Sequence, residues 1–285
     1  MDTQIEKDKG RLEVLRRIDE YERKRWWTKD VEDDPPTIPL TADKVDYLNK
    51  KLINKILARA VTNKAFRFIG KLIKTKQLRI KNVIGFENFE KMKNQGCIIT
   101  CNHFNAFDNF ALHWIFLPFI RKEHKQLYKV IREGNFTSFP GLFGLFFRHC
   151  YTLPLSSNFS CMKKFMEAMD VLLKRGEKVL VYAEQAMWWN YKKPRPLTNG
   201  AFTFAVKSNV PVLPVFITME DSDTIGNDGF PIQEYTIHIS PAIYPDESKT
   251  EKQNVVEIRD KNYEIWKNIY EKFYGIPLEY LPEEK

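Results

Sequence analysis

The stretch Cys97-Ile98-Ile99-Thr100-Cys101-Asn102-His103-Phe104-Asn105-Ala106-Phe107-Asp108 decides the fold. Its first five residues form an apolar, β-branched run, the length of a buried strand. From Phe110 to Ile120 the chain is mainly apolar again and long enough for a helix, with Asn105 or Asp108 as its cap. A strand feeding a helix through so short a turn puts His103 at the carboxyl end of the strand and Asp108 near the first turn of the helix. In open α/β sheets that end is where ligands bind. A carboxylate five positions from a histidine across such a turn can come within hydrogen-bond reach of the ring. It would fix the tautomer and stabilise the imidazolium, leaving the other nitrogen as a usable base. The same two residues also fit a plain surface pair or a satisfied buried polar group.

Outward from this stretch, strand-like and helix-like segments alternate. Apolar strands are expected near 80–85, 97–101, 127–131, 150–154, 178–182, 211–217 and 234–239. Helices are expected near 107–120, 138–147, 160–175, 200–208 and 252–273. Met162, Phe165, Met166, Met169, Leu172 and Leu173 recur at helical spacing as a core stripe, closed by Gly176. The alternation predicts an α/β fold with a mixed, mostly parallel central sheet flanked by helices. Val210-Pro211-Val212-Leu213-Pro214-Val215 reads as a strand whose prolines limit its pairing.

The 285 residues suffice for one large α/β domain. The formal charge of +8 admits nucleic acid, anionic lipid or an anionic small substrate as a partner. The cations lie on amphipathic helices with no recognition motif, which argues for no nucleic acid. The four cysteines, at 97, 101, 150 and 161, form no CxxC pair and have no clustered histidines. Neither a metal site nor a disulfide framework is expected from them; their spacing fits reduced, buried thiols of a cytosolic compartment. The polar start, Met1 to Gly10, has no signal-peptide pattern. No uncharged apolar stretch reaches the roughly 18 residues of a spanning helix.

Residues 1–46 read as a charged N-terminal extension and linker, with Leu12, Leu15 and Ile18 as a short helical stripe and Asp33-Asp34-Pro35-Pro36 as a break. Residues 47–81 hold eleven Lys or Arg and no acid. Apolar residues there recur at helical spacings, which predicts an amphipathic helical pair joined near Thr62-Asn63. These helices either pack their stripes on the main domain or lie on an anionic membrane surface, and different faces can do both.

Two further blocks complete the pattern. Glu184 falls just past the predicted strand Val179 to Tyr182, and Lys192-Lys193-Pro194-Arg195 sets three cations in one loop. With Asn102-His103 and Asp108, then Ala183-Glu184-Gln185-Ala186-Met187, then Gly200-Ala201-Phe202, then Val210 to Val215, the chain resembles the lysophospholipid (acylglycerol-phosphate) acyltransferase family over roughly residues 70–245. That family carries Asn-His-x4-Asp, then Pro-Glu-Gly-Thr-Arg, then Gly-Ala-Phe, then Val-Pro-Ile-x-Pro-Val. The resemblance makes 47–285 the acyltransferase domain, with 47–81 as its membrane-associating helices. It implies acyl transfer from acyl-CoA or an acyl carrier protein to a lysolipid hydroxyl, 1-acylglycerol-3-phosphate first among acceptors, with no tightly bound cofactor and no metal. It places the protein peripherally on the cytoplasmic face of the membrane. His103 becomes the general base, Asp108 its partner, and Glu184 part of the acceptor site. A capping or surface carboxylate is the alternative for Glu184. No Gly-x-Ser-x-Gly elbow points to a serine acyl-enzyme.

Two positions depart from the family pattern. Its phosphate-binding arginines are Met187 and Leu155 here. Arg132, Arg148, Lys163, Lys192, Lys193 and Arg195 are the candidate substitutes, and Lys192, Lys193 and Arg195 come first, because they follow Glu184 closely and carry no acid beside them in the chain. The other readings are a non-phosphate acceptor, such as a glycolipid, and a non-catalytic lipid-binding protein that keeps the fold.

Overall fold

A computed structural model describes residues 6–284. Seven strands form one sheet: β1 Arg79–Ile84, β2 Cys97–Thr100, β3 Leu127–Arg132, β4 Thr152–Leu155, β5 Lys178–Val181, β6 Val212–Ile225 and β7 Pro231–Ile239. Their order is β1-β7-β6-β2-β5-β3-β4. Five of the six neighbouring pairs are parallel, and only β6 with β7 is antiparallel. The sheet is therefore mixed and mostly parallel, as the alternation of segments predicts. The prolines of β6 do not confine it to an edge. It lies between β7 and β2, and Pro211 still offers its carbonyl to the Ile98 N–H at 3.0 Å. A proline lacks a donor, not an acceptor.

Helices cover both faces. On one, α7 Phe159–Lys174, α8 Gly200–Lys207 and α9 Glu251–Tyr274 pack Phe165, Leu172, Phe202 and Trp266 against Ile98, Val179, Val181 and Phe216. On the other, α2 Leu52–Lys74, α3 Phe86–Glu90 and α4 Ala106–Lys122 pack Ile69, Phe89, Leu112 and Phe116 against Cys97, Ile99, Leu180 and Leu213. Alternate residues of each central strand thus reach opposite cores, which is why these strands read as unbroken apolar runs. Gly176, at φ 83°, closes α7 in the left-handed region, with N–H bonds from Gly176 to Leu173 and from Glu177 to Leu172. Two short helices, α5 Glu133–Thr137 and α6 Gly141–His149, connect β3 to β4.

The expected helical pair over 47–81 is one continuous helix, α2. Thr62 does not break it. With Ala58, Val61, Ala65, Ile69 and Leu72 it lies on the buried face, and neither Gly nor Pro is present near Thr62 to stop the helix. The apolar residues of the first turns stay outside: Leu52 is 73% exposed, Ile53 58% and Ile56 54%. Before it, α1 Lys9–Arg23 packs Val14 and Ile18 against Ala186, Trp188 and Trp189. Among the described residues no helix is long and apolar enough to cross a membrane.

Candidate active site

His103 follows the carboxyl end of β2, three residues past Thr100, at the centre of the sheet. Its backbone is held from both sides. The His103 N–H donates to Glu184 Oε2 at 3.0 Å, and its carbonyl accepts the Trp188 N–H at 3.1 Å. Asn102 extends the strand with its side chain, taking the Ile217 N–H at 2.8 Å and donating to the Ile217 carbonyl at 3.0 Å. The ring therefore projects from a rigid base.

Asp108 meets that ring. Its Oδ2 lies 2.8 Å from His103 Nδ1 and also accepts the N–H groups of Phe104, at 3.0 Å, and Asn105, at 3.3 Å. Asn105 caps α4 and Asp108 is the third residue of that helix, so the two form a reciprocal capping box. The carboxylate is fully buried and is met by donors at a helix amino terminus, so both of its oxygens act as acceptors. An acceptor-only Asp108 makes Nδ1 the protonated nitrogen. Nε2 then carries the lone pair and has no hydrogen-bond partner among the described residues.

Tyr182 completes the cluster, a residue that the sequence marks only as the end of a strand. Its hydroxyl donates to Asp108 Oδ1 at 2.6 Å, and its ring stacks on the imidazole with centroids 3.8 Å apart and planes 18° off parallel. Burial and the Asp108 charge push the phenol well above its ordinary range, so it stays a donor. The available signal was register. Val181 of β5 sits opposite Thr100 of β2, so the next residue, Tyr182, ends its strand beside the His103 turn.

The three loop cations do not gather as an open anion site. The expectation that they lack an acid neighbour fails in space. Arg195 is buried and ion-paired with Glu184, Nη2 to Oε2 at 2.8 Å, and its N–H accompanies that bond by donating to Glu184 Oε1. The same guanidinium donates to the carbonyls of His103, Ala186 and Trp27. Lys193 reaches Glu22 of α1 at 2.7 Å, and Lys192 reaches Asp221 at 3.4 Å. Glu184 is likewise no surface carboxylate. It anchors the backbone of His103 from behind. Met187 is half-buried, and Leu155 ends β4.

A family model described as Acyltransferase matches residues 81–218, a span holding His103, Asp108, Tyr182, Glu184 and Arg195. Among curated proteins none matches the chain. Among solved structures, the 1-acyl-sn-glycerophosphate (LPA) acyltransferase PlsC from Thermotoga maritima is similar in fold. The TM-score is 0.53 and the identity 18%, over 79% of this chain and 83% of that one. The chain thus carries an acyltransferase domain at residues 81–218 and is an acyltransferase.

Proposed function

We propose that the enzyme moves a fatty acyl group from a thioester, acyl-CoA or acyl carrier protein, to the hydroxyl of a lysolipid, with His103 as general base. The observation that carries this reading is the 2.8 Å contact of Nδ1 with Asp108, which leaves Nε2 as the basic nitrogen at the carboxyl end of a central strand. The acceptor hydroxyl hydrogen-bonds to Nε2. As its oxygen attacks the thioester carbonyl, its proton passes to Nε2, and Asp108 stabilises the imidazolium. When the tetrahedral intermediate collapses, the carbon–sulfur bond breaks and Nε2 returns the proton to the thiolate. Tyr182 and Glu184 are positioning residues, one on Asp108 and the ring face, the other on the His103 backbone.

1-Acylglycerol-3-phosphate is the acceptor the family points to, and peripheral attachment of α2 to the cytoplasmic face of an anionic membrane would bring it near. A second reading, a lysolipid or glycolipid without a phosphate monoester, has an observation in its favour. The cations of the 192–195 loop are all ion-paired, and Arg132 is bound by Asp30 and Asp34. Purified protein given labelled acyl-CoA and a panel of lyso-acceptors tests both readings. His103→Ala should reduce transfer by about 10²–10⁴-fold with an unchanged fold. Transfer above about a tenth of wild type would remove His103 from the role.

A further inference from the structure

A cavity lined by four basic side chains lies at the other end of the sheet. Lys178 starts β5 and pairs with both Cys97 of β2 and Leu127 of β3, so these three strands begin level with one another. The cavity, of about 320 Å³, opens beside the start of β3, whereas His103 lies past the far end of β2. Its walls come from three elements: Arg59 and Asn63 of α2, Arg121, His124 and Lys125 at the end of α4, and Tyr151 before β4.

Among the described residues, none of the four basic side chains takes part in an ion pair. Two acids border the cavity without forming an ion pair to it, Glu177 being near enough to feel the Lys125 charge, and Lys125 itself donates to the Arg175 carbonyl. Glu177 accepts the Gln126 N–H at 2.6 Å, and Glu123 caps α4. Cations at the end of α4 complement its dipole, which accounts for Arg121 and Lys125 singly. It does not account for Arg59, which points in from the middle of another helix. Arg59 lies close enough to Tyr151 to oppose the rise that burial imposes on that phenol. Like charges converging with only one acid near enough to feel them repel one another, and an entering anion relieves that repulsion.

We propose that this cavity is a second, non-catalytic binding site for a phosphate monoester. One arginine fork satisfies two oxygens, the most a carboxylate presents. Two arginines, a lysine and the Asn63 and Tyr151 donors suit a group with three terminal oxygens and up to two charges. The same chemistry can arrive on a lipid headgroup or on a soluble metabolite. The headgroup route is open because Arg59 follows the exposed Ile56 by one turn of α2. The inference does not depend on the chemistry assigned to His103.

The test compares the whole protein with an Arg59→Gln/Lys125→Gln variant, both positions being clear of the core. One arm measures the rise in melting temperature with inorganic phosphate against chloride at equal ionic strength. The other measures co-sedimentation with phosphatidylcholine vesicles holding phosphatidic acid, a monoester, or phosphatidylglycerol, a diester. The wild type should favour phosphate or phosphatidic acid, and the variant should bind it at least about tenfold more weakly, the loss of one charge-assisted hydrogen bond. A response to inorganic phosphate identifies a soluble ligand, and a response to phosphatidic acid vesicles alone identifies a headgroup. Equal behaviour of wild type and variant in both arms, or equal binding of monoester and diester, would overturn the proposal.

Discussion

Glu184 and Arg195 form an ion pair at 2.8 Å with side-chain exposures of only 2% and 1%, directly behind the His103 backbone. Removing either partner leaves a buried, uncompensated charge, which costs roughly 3–5 kcal/mol. Arg195→Met and Glu184→Gln should therefore both lower the urea midpoint markedly. A raised acceptor KM at an unchanged midpoint would instead place Arg195 on the substrate.

The Tyr182 hydroxyl gives a second, separable expectation. Tyr182→Phe keeps the ring on His103 and removes the donor to Asp108 Oδ1. An unsatisfied buried acceptor costs about 1–3 kcal/mol. Because the loss falls on the partner of the base, kcat should drop while acceptor KM stays near wild type. Unaltered kcat with lowered stability would reduce Tyr182 to a packing residue.

Lys129 on β3 is wholly buried beside Cys150 and His113, with only long bonds to the carbonyls of Leu127 and Cys150. Burial pulls its pKa down to about 8. The unfolded chain holds that proton up to about 10.4. Between those values the unfolded state binds more protons, so stability rises with pH across the window. Lys129→Met should be more stable than wild type at pH 7, by up to roughly 3 kcal/mol at about 1.4 kcal/mol per pH unit. That advantage should shrink as pH climbs from 8 towards 10.5. A variant less stable than wild type at pH 7 would contradict it.

The exposed first turns of α2 predict a surface affinity. Replacing Leu52, Ile53 and Ile56 together by Ser removes apolar area worth about 1.5–3 kcal/mol per fully buried side chain. Partition onto anionic vesicles should fall more than about tenfold, and high salt should weaken the remainder. Partition equal to that of wild type would place the membrane contact elsewhere.

Much of this was legible in the residues. All seven strands stand where apolar runs predict them, because strands buried on two faces leave an unmistakable mark. The short helices α3 and α5 escaped, since five residues show no 3.6-residue period. The length of β6 escaped as well. Beyond Met219 half-buried residues alternate with exposed ones, and the strand is held by antiparallel pairing with β7. His103 and Asp108 were readable because one turn and one helix cap join them. The pairing of Glu184 with Arg195 was not, because it depends on how the 185–195 loop folds back beneath Trp27 and Trp188. Three cations in a row say nothing of the acids that distant segments bring.

Asp108 serves two masters with one oxygen, holding the imidazole and closing the first turn of α4. The ends of most helices open and close continually without consequence. Here each opening of that first turn would release the ring, so fraying at a helix terminus becomes an interruption of the enzyme itself.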